Sequence, residues 1–244
     1  MRLEGKVALI TGGGRGIGKS IALAYAKEGA YVAVSARTES QIESVAKEIR
    51  KLGQRALAIK ADIRKEEDVK KMVGTVIQEF GKIDILVNNA GVTEKKPTKE
   101  IKDLPEEEWN RIIQTNLTGT FLCTKWVLPH MINRRSGNII NISSALGQKG
   151  RPEKENSVAY AVSKFGTEGF TEYLSKESKE YNINVNALYP GVRVDTGFFD
   201  HLSHEQREKL ARPEIVAEPA IFLASQRPAA MSGKSINASR PIWK

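Results

Sequence analysis

The chain has 244 residues, of which 40% are hydrophobic and 27% are charged. This length and composition predict one globular α/β domain with a single full core rather than two small domains. The apolar runs are short and the first residues enter strand-like sequence at once. We therefore expect neither a signal peptide nor a membrane span, and we expect a cytoplasmic protein. The single cysteine, Cys123, excludes an intramolecular disulfide, and its apolar surroundings indicate a buried thiol without a catalytic role.

The formal net charge is +9 at pH 7, which on its own is compatible with nucleic acid, an anionic membrane or an acidic partner. Lys and Arg are spread along the whole chain, without a block of like charges or a basic stripe with interleaved aromatic residues. We therefore expect no binding to nucleic acid or to a membrane. The positive excess would still raise the local concentration of an anionic ligand.

Six short apolar segments alternate with five amphipathic segments. The apolar segments predict β-strands at residues 6–11, 31–36, 56–61, 83–88, 137–143 and 183–190. The amphipathic segments predict helices at residues 17–28, 39–52, 65–80, about 106–133 and 157–180. Several strands are continuously apolar, which is typical of buried parallel strands. The alternation therefore predicts a doubly wound α/β fold, a parallel sheet with helices on both faces and right-handed crossovers.

The first strand leads directly into TGGGRGIG, residues 11–18, and the first helix follows. Glycines at this point let the backbone approach a pyrophosphate, and the helix N-terminus offers N–H groups without partners. The spacing is T-G-x-x-x-G-x-G, read on Gly12, Gly16 and Gly18, and not G-x-G-x-x-G. An ordinary strand-to-helix turn also uses glycines, so it is the position after the first strand that favours a nucleotide-phosphate site.

The end of the second strand bears on the choice of nucleotide. Related folds that prefer NAD place Asp or Glu there to bind the ribose 2′-hydroxyl. Here the strand ends in Ala36 and Arg37, and Arg37 together with Arg15 would pair with a 2′-phosphate. Charge-assisted hydrogen bonds of roughly 1.5–3 kcal/mol would favour the phosphorylated cofactor by at least about tenfold. The sequence therefore predicts NADP(H) over NAD, the alternative being that Arg37 is merely an exposed residue at a strand end.

A tyrosine and a lysine lie four residues apart in YAVSK, so Tyr160 and Lys164 would share one helical face. A phenol with an ordinary pKa near 10 exchanges protons poorly at neutral pH, and a nearby ammonium would lower that value. Tyr160 would then be the general acid or base and Lys164 its electrostatic partner. Upstream, the strand in NIINISSALG ends in two hydroxyls, so Ser143 or Ser144 would hold a substrate oxygen, unless the serine only caps the strand exit.

Six motifs follow one another in a fixed order along essentially the whole chain. They are T-G-x-x-x-G-x-G at 11–18, NNAG at 88–91, Asn116 in WNRIIQTNLTGTF, ISSALG at 142–147, Tyr160-x-x-x-Lys164 and YPG at 189–191. Together they resemble the short-chain dehydrogenase/reductase family. The resemblance implies a single Rossmann domain over residues 1–244 with a seven-stranded parallel sheet. It also implies Ser144 as the catalytic serine, because Ser144 precedes ALG, and Asn116 as the holder of a water that links Lys164 to solvent.

The same resemblance implies further contacts with the dinucleotide. Asp62 is similar to the aspartate that meets the adenine amino group, and Asn89, Ala90 and Gly91 would line the adenine ribose and stabilise the sheet. The other residues that we expect at the cofactor are Ile17, Ile63, Pro190, Gly191 and Thr196, with Tyr160 and Lys164 reaching it from the catalytic side.

Two features depart from the family pattern. Thr196 comes one residue late in PGVRVDT, which puts its contact with the nicotinamide amide in doubt. The C-terminal SGKSINASRPIWK lacks the usual aspartate and paired glycines, although the resemblance still implies a homo-oligomer, a tetramer. Between these features, residues 198–212 contain two adjacent aromatics and no strand pattern, and we interpret them as a mobile cover over the substrate.

No metal site is predicted. His201 and His204 would lie on one helical turn, but no third residue has metal-ligand spacing, so exposed residues of the cover are the better interpretation. The acidic run Glu106 to Glu108 is explained by the first turn of a helix.

The sequence therefore predicts an enzyme that transfers a hydride between NADPH and a ketone or secondary alcohol. A 3-oxoacyl thioester on an acidic acyl-carrier protein is the first candidate substrate, because the basic surface would suit such a partner. A sugar or polyol, or another small carbonyl compound, stays open. A non-catalytic NADP-binding sensor and a nucleic-acid-binding protein are the alternatives from other classes, and the sensor would need none of Ser144, Tyr160 and Lys164.

Overall fold

The computed structural model describes residues 1–95, 100–148, 158–200 and 202–240. The described residues contain seven strands that form one sheet, in which every pair of neighbours is parallel and the order is β3-β2-β1-β4-β5-β6-β7. The strands are β1 (Val7–Thr11), β2 (Tyr31–Ala36), β3 (Ala56–Lys60), β4 (Ile85–Asn88), β5 (Gly137–Ile142), β6 (Ile183–Tyr189) and β7 (Ser235–Asn237). The predicted parallel sheet and the seven strands that the family resemblance implies are confirmed.

The helices connect the strands and cover the sheet. They are α1 (Gly16–Lys27), α2 (Glu39–Lys51), α3 (Glu66–Phe80), α4 (Glu106–Ile113), α5 (Gly119–Arg134), α6 (Val158–Glu177), α7 (His204–Glu208) and α8 (Ala217–Ala224). The pattern-based helix ends agree with these within a few residues. Gly81 illustrates why, because it ends α3 with a φ of +77°, a conformation that glycine adopts at little cost.

Helices lie on both faces of the sheet because successive residues of each strand point to opposite sides. In β1, Ala8 and Ile10 join the apolar core that also contains buried residues of α1, α2 and α8. Val7 and Leu9 join a second core with buried residues of α3, α5 and α6. All five residues of β1 are buried, which explains why this strand reads as a continuous apolar run.

The predicted helix over residues 106–133 is not a regular α-helix throughout. Helical residues run without a break from Glu106 to Arg134, as predicted, but a π-helical turn at Gln114–Thr118, which the sequence pattern did not indicate, joins α4 and α5. Wide turns of this kind are rare and concentrate at functional sites, and this one contains Asn116. The acidic first turn of α4 is present as predicted, with Glu106, Glu107 and Glu108.

Two further expectations meet the structure in its described part. Cys123 is fully buried, and burial raises the pKa of its thiol to about 12, as expected for a core residue. None of the helices found there is both long enough and apolar enough to cross a lipid bilayer.

Candidate active site

The sheet order reverses at β1, which has β2 on one side and β4 on the other. Open α/β sheets bind ligands in the crevice at the carboxyl ends of the strands next to such a reversal. A cavity of about 1190 Å³ lies here. Its wall contains every predicted cofactor residue, namely Gly12, Arg15, Gly16, Ile17, Gly18, Arg37, Asp62, Ile63, Asn89, Ala90, Gly91, Tyr160, Lys164, Pro190, Gly191 and Thr196. Ser144 also lines the cavity, whereas Asn116 is buried and does not line it.

The glycine-rich loop is held close to the exit of β4. Gly12 has a φ of +64°, and a Cβ atom there would lie 2.8 Å from the Cα of Ala90, so only glycine fits without a shift. The side-chain amide of Asn89 donates to the main-chain oxygens of Thr11 at 2.9 Å and Gly12 at 3.1 Å. Asn89 therefore binds the glycine-rich loop to the end of β4.

The N-terminus of α1 suits a phosphate. The helix begins at Gly16 after an extended Arg15, and no side chain of the described residues caps it. Its first N–H groups are therefore available to an anion, and the helix dipole adds positive charge at the same point. Together with the close approach at Gly12, this cradle fits the pyrophosphate of a dinucleotide.

The charged side chains where we predict the adenine and the 2′-phosphate to bind differ in whether they already form an ion pair. Arg37 follows β2 and lines the cavity. Asp62 accepts from the Arg64 guanidinium at 2.9 and 3.0 Å, and these bonds hold the pKa of that carboxyl below its ordinary value. Arg15 lies 3.7 Å from Asp200, with both side chains more than half exposed. Joint action of Arg15 and Arg37 on one phosphate stays a prediction.

Tyr160 and Lys164 lie together in the first turns of α6. The ammonium nitrogen of Lys164 is 5.6 Å from the centre of the Tyr160 ring and donates to the main-chain oxygen of Ile142 at 2.7 Å. Lys164 is 5% exposed, and burial lowers its pKa to about 8, against a smaller opposing effect of the Glu168 carboxylate. The Tyr160 ring also meets the Phe198 ring edge to face, with centres 5.9 Å apart.

Asn116 is buried next to this pair. In the π-helical turn, its side-chain oxygen accepts from the Val92 N–H at 2.8 Å and its amide donates to the Val92 oxygen at 2.9 Å. The amide also donates to the Ser163 hydroxyl at 2.9 Å. A Cβ atom at Gly91 would lie 3.5 Å from the Asn116 oxygen and 3.8 Å from the Lys164 nitrogen. Asn116 and Lys164 thus both lie close to Gly91, whereas a water between them remains an expectation.

The two serines after β5 have different environments. Ser144 is partly exposed, and its hydroxyl oxygen accepts from the Leu146 N–H at 3.2 Å, which leaves its own proton available to a ligand. Ser143 is 3% exposed, and its hydroxyl has no hydrogen-bond partner in the described part of the chain. This arrangement favours Ser144 over Ser143 as the group that would hold a substrate oxygen.

The segment that we interpreted as a cover folds against the cavity. Phe198, Phe199 and Asp200 line it, and Arg207 of α7 binds Asp195 at 2.8 Å and Asp200 at 3.3 Å. Thr196 caps the short turn that begins this segment, because its hydroxyl accepts from the Phe198 N–H at 3.4 Å. A Cβ atom at Gly16 would lie 3.2 Å from Thr196, so Thr196 borders the phosphate cradle. Its contact with a nicotinamide stays a prediction.

The sequence predicts no metal site at His201 and His204. His204 is exposed and lies 3.3 Å from Glu208, one helical turn away. His201 lies outside the described residues. Among the residues that are described, no three His, Cys, Asp or Glu side chains come together as a metal site would require.

The sequence interpretation missed Glu94, which lines the catalytic end of the cavity. This carboxylate is 8% exposed and accepts from the main-chain N–H of Tyr160 at 3.1 Å. A single glutamate shortly after NNAG carries no periodic signal, since it reads as part of a polar loop. Its contact with Tyr160 joins residues 66 positions apart, which no local pattern indicates.

A doubly wound sheet with a dinucleotide cradle at its reversal point, next to a tyrosine and a lysine on one helix, defines the class of protein as a nicotinamide-dependent oxidoreductase acting on C=O or CH–OH groups. The sequence model of the family described as short chain dehydrogenase matches residues 6–207. The chain belongs to this family.

Individual relatives agree with that assignment. The chain is 38% identical over 245 residues to the 3-oxoacyl-[acyl-carrier-protein] reductase FabG of Thermotoga maritima, with 97% of each chain covered. The solved structure of a short-chain type dehydrogenase/reductase from Mycobacterium marinum is similar with a TM-score of 0.88 at 33% identity, covering 98% of this chain and 97% of that chain. A metagenomic short-chain oxidoreductase in complex with NADP has a TM-score of 0.83 at 28% identity, with 97% of each chain covered.

Proposed function

We propose that the protein is an NADP(H)-dependent reductase that interconverts a ketone and a secondary alcohol, with Tyr160 as the proton donor and acceptor. The observation that carries this proposal is the position of the buried Lys164 ammonium, 5.6 Å from the Tyr160 ring in the cavity that also contains the phosphate cradle. A positive charge at this distance favours the phenolate and so eases proton transfer at neutral pH.

The chain's own residues would divide the work in the following way. A bound nicotinamide dinucleotide supplies or accepts the hydride. In the direction of reduction, Tyr160 gives its hydroxyl proton to the substrate oxygen, and the Ser144 hydroxyl donates a hydrogen bond that orients the same oxygen. Lys164 stabilises the phenolate that remains, and Asn116 supports the return of a proton from solvent through its place beside Gly91.

The preference for NADP over NAD is supported by Arg37. β2 ends at Ala36 and Arg37 comes next, so neither position carries a carboxylate. A 2′-phosphate would therefore meet a guanidinium instead of a repelling charge. The solved relative with NADP is a further argument for this cofactor.

A 3-oxoacyl thioester on an acyl-carrier protein is the first substrate class to test. The support is the identity to the Thermotoga maritima reductase, whose name gives that activity, and the net charge of +9, which would attract an acidic carrier. Attraction of this kind weakens as salt screens the charges. The rate with a carrier-bound substrate should therefore fall at high salt, whereas the rate with a small thioester analogue should change little.

The deciding experiment assays 3-oxoacyl thioesters, sugars, polyols and small ketones by nicotinamide absorbance, with NADPH and NADH in parallel. We expect NADPH oxidation with at least one ketone or thioester. Tyr160→Phe should lower kcat at least about 100-fold while NADPH still binds. Full activity of Tyr160→Phe would refute its role. Tight NADPH binding with no turnover on any carbonyl or alcohol would instead favour the sensor.

A further inference from the structure

Glu94 connects the segment after β4 to the helix that carries Tyr160. Its Oε1 accepts from the main-chain N–H of Tyr160 at 3.1 Å, and its Oε2 accepts from the Thr93 hydroxyl at 2.9 Å. The side chain is 8% exposed, and no lysine or arginine of the described ranges lies within ion-pair distance of it. Within the described part of the chain, hydrogen bonds from these two neutral partners hold the buried carboxylate.

The bond to Tyr160 lies close to the N-terminal end of α6. The described helix begins at Val158, and Tyr160 is its third residue. A carboxylate oxygen is a favourable acceptor for a main-chain N–H there, because it lies near the positive end of the helix dipole. Glu94 therefore binds the N-terminal end of α6 from a distant part of the chain.

The segment that carries Glu94 is itself fixed on its other side. The Arg111 guanidinium of α4 donates to the Thr93 oxygen at 2.6 Å, and the Lys95 N–H donates to a carboxylate oxygen of Glu108 at 2.7 Å. Arg111 and Glu108 also bind each other, and the Arg111 hydrogen bonds lower the pKa of Glu108 to about 2. Asn116 holds the neighbouring Val92 at both its N–H and its C=O. Residues 92–95 are thus bonded on both sides of Glu94.

We propose that Glu94 is a positioning residue for Tyr160: it transmits the fixed position of residues 92–95 to the first turn of α6 and so holds the tyrosine ring in register with Lys164. This inference rests on the proposed role of Tyr160 as the proton donor. Proton transfer requires donor and acceptor within hydrogen-bond reach, and small misplacements of a reacting group reduce turnover strongly.

The test compares Glu94→Gln with Glu94→Ala. Glutamine keeps the shape and an oxygen that accepts from the Tyr160 N–H, whereas alanine removes the acceptor. Glu107→Ala is the matched control, because it removes another glutamate carboxylate, one that lies exposed on α4. For each protein we would measure kcat, the substrate KM, the NADPH dissociation constant, the melting temperature and amide hydrogen exchange in the first turn of α6.

If Glu94 positions Tyr160, Glu94→Ala should lower kcat about tenfold while the NADPH dissociation constant changes less than about twofold, since the loss is one of geometry and not of cofactor binding. Exchange at the Tyr160 amide should become about tenfold faster, as expected for the loss of one hydrogen bond. Glu94→Gln should restore both values to within about threefold of the unsubstituted protein, because it restores the acceptor. Glu107→Ala should change neither kcat nor the exchange rate at the Tyr160 amide.

Two kinetic results would overturn the inference: a kcat in Glu94→Ala close to that of the unsubstituted protein, or a Glu94→Gln variant as impaired as Glu94→Ala. If Glu94→Ala does not fold, Glu94→Gln alone decides, because a low kcat with normal melting temperature and NADPH binding contradicts a role through the hydrogen bond. Failure of the proposed function can be told apart from failure of this inference, since the unsubstituted protein would then reduce no carbonyl compound. Hydrogen exchange tests the positioning role independently of turnover: unchanged exchange at the Tyr160 amide in Glu94→Ala would by itself reject that role.

Discussion

The ammonium of Lys164 lies 5.6 Å from the centre of the Tyr160 ring and is held there by a hydrogen bond to the main-chain oxygen of Ile142. Two elements therefore fix this distance, α6 through the spacing of the two residues and β5 through its last residue. Because Lys164 is almost fully buried, water screens its charge little and the charge acts strongly on the nearby phenol.

The protonation state of Lys164 should limit the enzyme at alkaline pH. Burial lowers its pKa from 10.5 to about 8, so the side chain loses its charge as the pH rises through about 8. We expect kcat/KM for reduction to fall over that range. Lys164→Arg keeps a charge at all these pH values, so its lower maximal rate should show no fall near pH 8. A pH profile of both proteins checks this, and an unchanged fall in Lys164→Arg would assign it to another group.

Arg37 should determine the preference for the phosphorylated cofactor. Arg37→Ala should raise the dissociation constant of NADPH about tenfold or more, because a charge-assisted hydrogen bond of roughly 1.5–3 kcal/mol is lost. The dissociation constant of NADH should change less than about twofold, since it carries no 2′-phosphate. Fluorescence titration with both nucleotides measures this, with Lys47→Ala on the exposed side of α2 as the control. Equal weakening of both nucleotides would contradict the assignment.

Asp200 should compete with the cofactor for Arg15. The two side chains form an exposed ion pair at 3.7 Å, and pairs of this kind contribute about 0.2–1 kcal/mol. Asp200→Asn should therefore tighten NADPH binding at most about fivefold, with little effect on NADH. In an Arg15→Ala background the same change should have no effect. Titration at low and high salt checks the prediction, because the gain should shrink as salt screens the charges.

Two glycine substitutions should have opposite effects on stability. Gly12→Ala should lower the free energy of unfolding by about 1–3 kcal/mol and weaken dinucleotide binding, because φ is +64° and the new methyl group would press on Ala90. Gly74 lies exposed in α3 with open space around it, so Gly74→Ala should raise the free energy of unfolding by about 0.5–1 kcal/mol. Urea unfolding measures both values. A stabilised Gly12→Ala would show that the loop is not strained as described.

The strands that build the site were predictable because they are buried on both faces. β1, β4 and β6 are almost wholly apolar or buried, so their sequences stand out from the amphipathic helices around them. β7 spans only Ser235–Asn237 and is partly exposed, and it has no such pattern. Pattern alone therefore predicted six strands, and the seventh came from the family resemblance. The short helix α8 was missed because it is apolar on most sides rather than amphipathic.

The site was predictable where the chemistry lies within one short motif. Tyr160 and Lys164 are one helical turn apart, so helix geometry alone places them together. Contacts between distant parts of the chain gave no such signal. The pairing of Arg15 with Asp200 and the bond from the Tyr160 N–H to Glu94 depend on tertiary packing, which residue types and spacing do not encode locally.

The π-helical turn at Gln114–Thr118 makes the active site sensitive to insertions and deletions. Each residue of an α-helix advances the chain by about 100° around its axis. A turn with i→i+5 hydrogen bonds holds about one residue more than an α-helical turn for nearly the same rotation. Deleting one residue here would therefore let α4 and α5 merge into a regular helix with little rotation of one against the other, and Leu122 and Val127 would stay in the core. The wide turn itself would disappear, and Asn116 would lose its position opposite Val92. The extra residue thus places the Asn116 side chain without disturbing how the two helices pack.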